Sequence, residues 1–166
     1  MTTTLIKELA RNKSKNSPKP ITDALRSWMT LVGIEDTPDA LEFNKNPAYA
    51  SLELAITVNG QEYAVYLIAI DTDMLLTVSI YINPPIPRKR LRSVKDWILR
   101  RNQHLATGQF QLTSDEKFLL YFNTVNFAGA KNVETIMIDN LFTDAANAVE
   151  IYISEFLELI PENAVD

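Results

Sequence analysis

Two hydrophobic periods alternate along the chain, and the period identifies each element. Ile21, Leu25, Trp28, Met29 and Val32 recur at three- and four-residue steps between Pro20 and Gly33. Proline is tolerated in the first turn of a helix and glycine ends one, so this spacing predicts a first helix. From Leu52 the period becomes two, with Leu52, Leu54, Ile56 and Val58 alternating with Glu53, Ala55 and Thr57. Asn59-Gly60 follows at once, and this dipeptide suits a type I′ hairpin turn because both central residues need positive φ. A two-residue loop pairs Val58 with Gln61, Ile56 with Tyr63, Leu54 with Val65 and Leu52 with Leu67, which puts those apolar residues on one face. The second strand runs to Ile70, and Asp71-Thr72-Asp73 turns it into a third, Met74 to Ile82. Asn83-Pro84-Pro85 ends that strand, since prolines cannot donate to a ladder.

A second helix is predicted from Arg88 to Leu105, ending before Gly108. Phe110 to Thr113 and Lys117 to Phe122 form a shorter hairpin across Ser114-Asp115-Glu116. Asn132 is the expected cap of a third helix, Val133 to Ile160, stopped by Pro161. The order α-β-β-β-α-β-β-α, with antiparallel hairpins between helices, implies an α+β fold with helices mainly on one face of the sheet. Residues 1–18 read as a flexible basic tail and 19–166 as a single domain; the acid-, Pro- and Asn-rich span 35–51 reads as a loop.

Composition narrows the function more than it identifies it. The chain has 166 residues, a net charge of −5 and no cysteine, which excludes disulfides, thiol nucleophiles and cysteine metal sites. Charge is uneven: residues 1–20 carry +4, 88–101 carry +6 and 133–166 carry −8. An acidic body with two basic segments does not suit a nucleic-acid-binding domain. No apolar run reaches the length of a membrane span or a signal-peptide core, so the expectation is a cytoplasmic protein.

The segment RNQHLATGQFQL (Arg101 to Leu112), then a turn, KFLLYF (Lys117 to Phe122) and a long apolar-acidic helix resemble the YbjN-like family of small bacterial proteins. The whole element order is similar to the type III secretion chaperone-like fold that this family shares. The Asn- and Thr-rich style also fits a cyanobacterial branch. The resemblance implies a small dimeric, non-enzymatic domain that binds other proteins or regulates them. It carries no catalytic motif and no cofactor, so no residue receives a catalytic, cofactor or metal role.

The residues themselves support that reading. His104 is the one histidine and no Gly-x-Ser-x-Gly elbow accompanies it. Asp71-x-Asp73 lacks the glycine and distal glutamate of a calcium loop, so solvation of a turn is expected. The four glycines, at 33, 60, 108 and 129, lie too far apart to cradle phosphate. Helix two is basic, and its bases scatter around the axis instead of forming a stripe. Its core stripe is expected along Leu91, Val94, Ile98 and Leu105, with Asn102 bonded to backbone at the helix-to-hairpin corner and Trp97 at one edge, about 240° from Leu91 at 100° per residue.

If Tyr63, Val65 and Leu67 face the helices, then Ala64, Tyr66, Ile68 and Ile70 face the other way, beside Thr77, Ser79 and Tyr81. That face is too apolar to stand bare. It is therefore a candidate homodimer interface on Tyr66, Ile68, Tyr81 and the Trp97 edge of helix two, with the 35–51 loop as the competing cover. The reading is a non-catalytic protein-binding domain, chaperone-like or regulatory, acting as a homodimer with an unidentified protein partner. The alternative is a small-molecule carrier or sensor with an apolar pocket between the sheet and helix three.

Overall fold

The computed structural model describes residues 20–35 and 49–161, and both the proposed tail and most of the proposed covering loop lie outside them. Within the described residues three helices accompany one sheet: α1 (Pro20–Leu31), β1 (Tyr49–Val58), β2 (Gln61–Ile70), β3 (Leu75–Ile82), α2 (Leu91–Asn102, preceded by a 3-10 turn at Arg88–Arg90), β4 (Gln109–Leu112), β5 (Leu119–Asn126) and α3 (Thr135–Leu159). The order matches the hydrophobic pattern. All neighbouring strands are antiparallel, in the spatial order β1-β2-β3-β5-β4.

The first hairpin has the register that its turn demands, with Val58 opposite Gln61 and Leu52 opposite Leu67. Asn59 at φ 53° and Gly60 at φ 79° supply the two left-handed residues. One face of the sheet carries Val65, Leu67, Val78, Ile80 and Tyr121, all buried. Against it pack Ile21, Leu25 and Trp28 of α1 and Ile138, Leu141, Val149 and Phe156 of α3. The Trp28 indole meets Phe142 at 5.4 Å between ring centroids and donates to Asp139 at 3.1 Å, which ties α1 to α3.

Several features differ from the sequence expectation. Strand β1 already begins at Tyr49, inside the span read as a loop, because Tyr49 to Ser51 pair with Ile70 to Ile68. Helix α2 ends at Asn102, before Leu105, where the Asn102 side chain turns to the Phe110 backbone. Strand β5 continues to Asn126, because Asn123 to Asn126 pair with β3 from Val78 to Leu75, and ladder bonds override the poor strand propensity of asparagine. Helix α3 begins at Thr135 and Asn132 does not cap it; Glu134 is the flanking extended residue, with no side-chain capping bond. The Asp71 turn does more than solvate itself. Asp71 accepts from the backbone N–H groups of Ile21 (2.8 Å) and Thr22 (3.2 Å) and from the Thr22 hydroxyl, so a residue fifty positions away caps α1. These are the donors that a helix start leaves without intrahelical partners.

Replacing Asp71 by alanine is therefore expected to cost about 1–2 kcal/mol, the usual worth of an N-cap side chain. Urea unfolding followed by circular dichroism measures it. Asp73→Ala, two residues along in the same turn, is the control and is expected to change stability by less than about 0.5 kcal/mol.

Candidate protein interface

The three helices contact one side of the sheet and leave the other side without a helical layer among the described residues. Alternation along the strands puts Tyr66, Ile68 and Ile70 of β2, Leu75 and Tyr81 of β3, and Leu120 and Phe122 of β5 on this back. The small residues between them are sheltered: Thr77 and Ser79 are buried, with Thr77 and Thr124 joined through their hydroxyls at 2.9 Å. Most of the large apolar side chains around them are half-buried, and Tyr81 is 39% exposed. Three of the four proposed interface residues, Tyr66, Ile68 and Tyr81, thus share one continuous surface.

Tyr66 and Tyr81 are in contact, their centroids 5.4 Å apart and their planes at 79°. Opposite Tyr66 on β1 stands Glu53, whose carboxylate accepts the Tyr66 hydroxyl at 3.1 Å. That bond holds the proton on Tyr66 and raises its pKa above the ordinary tyrosine value. The sequence reading left Glu53 out of the site, although the register set by Asn59-Gly60 already placed it opposite Tyr66.

Trp97 does not belong to this surface, which corrects the sequence expectation. Its ring is 1% exposed and packs between Phe110 (5.1 Å) and Phe156 (5.6 Å) on the helix side. The wheel centred on Leu91 missed this because the buried side of α2 runs through Val94, Trp97 and the stem of Arg101, with Leu91 and Ile98 only half-buried. Arg101 reads as solvent-facing in an apolar count. In the fold its guanidinium pairs with Glu155 of α3 and lies 5.7 Å from the Tyr152 ring, so its stem can line an interior. Lys95 pairs with Glu116 at 2.7 Å. Asn102 behaves as its position implied, accepting from Phe110 N–H at 2.7 Å and donating to the Phe110 carbonyl at 2.9 Å.

Elsewhere the chemistry is sparse. His104 is exposed and lines an open groove of about 250 Å3 between the 104–107 segment and α3, together with Leu105, Asp144, Asn147 and Tyr152. Neither serine nor cysteine lines it. Among the described residues no three histidine or acidic side chains gather in a metal-binding cluster, and no helix is long and apolar enough to cross a membrane. A carrier pocket between the sheet and α3 would need room where Phe156, Trp97, Phe110 and Tyr121 follow one another in tilted and edge-on contact, each within 5.6 Å of the next ring.

No protein-family model matches the chain, and no curated protein matches it in sequence. The likeness is one of fold. YbjN from E. coli, a candidate transcription regulator, superposes with a TM-score of 0.52 over 83% of this chain and 92% of its own, at 13% identity. The HopA1-SchA chaperone-effector complex contains a chain that superposes with a TM-score of 0.48 over 76% of this chain and 87% of its own, at 10% identity. The chain has a YbjN-like α+β fold, as the resemblance in its second half implied.

Proposed function

We propose that this chain is a non-catalytic protein-binding domain, chaperone-like or regulatory, that works as a homodimer through the back of its sheet. The observation that supports this is the half-buried apolar surface around Tyr66, Ile68 and Tyr81, continuous across β2, β3 and β5 and without a helical layer among the described residues. Isolated exposed hydrophobics are ordinary; a contiguous patch on a sheet marks a contact surface. A two-fold contact covers such a patch without inviting open-ended association. A standard interface needs about 800 Å2 from each partner, which a five-stranded face can supply.

Light scattering during size-exclusion is expected to give the mass of two chains at micromolar concentration. Ile68→Asp puts a carboxylate in the middle of the patch and is expected to raise the dissociation constant at least about tenfold, as loss of a central anchor does. A one-chain mass for the natural sequence ends the homodimer reading. A folded Ile68→Asp protein that stays dimeric moves the contact to another surface.

A further inference from the structure

The back of the sheet is also chemically one-sided. None of the five strands contains a lysine or arginine, while Glu53 and Glu62 both project from this face, two rows apart. Between those rows Ala55 sits opposite Ala64, and Ala55 is exposed. Two methyl groups between rows that carry Glu53 with Tyr66 on one side and Thr57 with Glu62 on the other leave a step in the surface. Tyr66 and Tyr81 stand at its end with their rings nearly perpendicular.

We propose that this step is a binding site for a cationic side chain, the ammonium of a lysine or the guanidinium of an arginine, carried by a partner protein. Aromatic faces attract cations through their quadrupole, and the Tyr81 ring, 39% exposed, can offer one such a face beside the Glu53 carboxylate that Tyr66 holds. The Glu53 carboxylate, already anchored by the Tyr66 hydroxyl, supplies the counter-charge and a strong acceptor. The apolar remainder of the face, from Ile68 to Leu75, takes the neighbouring apolar side chains of the same segment.

This rests on the reading of the sheet back as a protein-binding surface, and it adds the chemistry of the occupant. A second copy docked strand to strand brings acids and no base from its own strands, so it leaves Glu53 and Glu62 without counter-charges. The cationic partner and a second copy therefore compete for Tyr66 and Tyr81.

The test is titration of the 15N-labelled full chain with N-acetyl-arginine amide and with N-acetyl-lysine amide, against N-acetyl-glutamine amide as the uncharged control, followed by amide shifts. The cationic probes are expected to perturb residues 53–55, 64–66 and 81 with millimolar affinity, and the glutamine probe to leave them unmoved. Glu53→Gln and Tyr81→Leu are each expected to weaken binding about fivefold, the worth of one exposed cation–π or charge contact of about 1 kcal/mol. Circular dichroism shows that each variant keeps its fold. Equal shifts from the neutral probe, or shifts centred elsewhere, overturn the proposal. So does silence at these residues both in the natural sequence and in the Ile68→Asp variant, where a second copy no longer covers them. Light scattering reads the homodimer separately, so the failure of one reading is not mistaken for failure of the other.

Discussion

Trp97→Ala is expected to lower the unfolding free energy by about 3–5 kcal/mol, the usual loss when a large buried aromatic side chain is truncated. The ring is almost fully enclosed and in tilted contact with both Phe110 and Phe156. Phe110 in turn meets Tyr121 at 5.4 Å and Tyr152 at 6.1 Å. The cavity would open where α2, β4, β5 and α3 converge. For a domain of this size each kcal/mol moves the melting temperature by roughly 2–4 °C, so a fall of about 10 °C is expected by calorimetry. Trp97→Phe is expected to cost only about 1–2 kcal/mol, because it keeps most of the ring volume and the indole N–H it removes has no hydrogen-bond partner. A loss below about 1 kcal/mol for the alanine variant would place the indole outside the core. The same geometry means that a charged substitution at Trp97 reports on folding and says nothing about oligomerisation.

Gly108→Ala carries the second large penalty, about 2–4 kcal/mol from two sources. The residue has φ 65°, a conformation that costs a side chain about 1 kcal/mol or more. A Cβ placed there would also come within 2.6 Å of Tyr121 Cζ and 2.9 Å of the Phe122 carbonyl oxygen, and closer still to Tyr121 Oη. Tyr121 cannot swing aside cheaply. Its hydroxyl donates to the Thr107 carbonyl at 3.0 Å, and burial raises its pKa above the ordinary tyrosine value. Introducing Gly108→Ala into a Tyr121→Phe background isolates the hydroxyl's share, since removal of Oη relieves the nearest collision and leaves the backbone strain and the contacts with the ring and the Phe122 carbonyl. The double-mutant cycle is expected to show a coupling of about 1 kcal/mol or more. Independent, additive penalties would mean that the contact with Oη contributes nothing, and a neutral Gly108→Ala would remove both arguments.

These two positions show where sequence reasoning reaches and where it stops. Gly108 was legible as a turn residue before a strand, although α2 ends earlier, at Asn102, and its closeness to Tyr121 depends on β4 and β5 folding back on each other. Trp97 was misplaced because a helical wheel weighs residues by polarity. The Arg101–Glu155 pair lets a charged residue share the buried side of α2, and the true stripe rotates toward it. Asn102 was placed correctly for the converse reason: a polar side chain at a buried corner must find backbone partners, and Phe110 is the nearest backbone available to it.

The candidate interface divides the same way. Periodicity of two and the Asn59-Gly60 turn determined by themselves which residues of β1 and β2 share a face, because side chains alternate along a strand and a type I′ loop admits one register. From that alone Tyr66 and Ile68 stand opposite the core, and Glu53 stands beside Tyr66. Local spacing cannot rank non-local pairings, so only the tertiary structure decided that β5 slots between β3 and β4. That insertion brings Phe122 and Leu120 alongside Ser79 and Tyr81 and widens the patch to a third strand. Tertiary packing likewise placed all three described helices on the other side, where their apolar stripes meet the buried face of the sheet, and so left the back without a helical layer among the described residues.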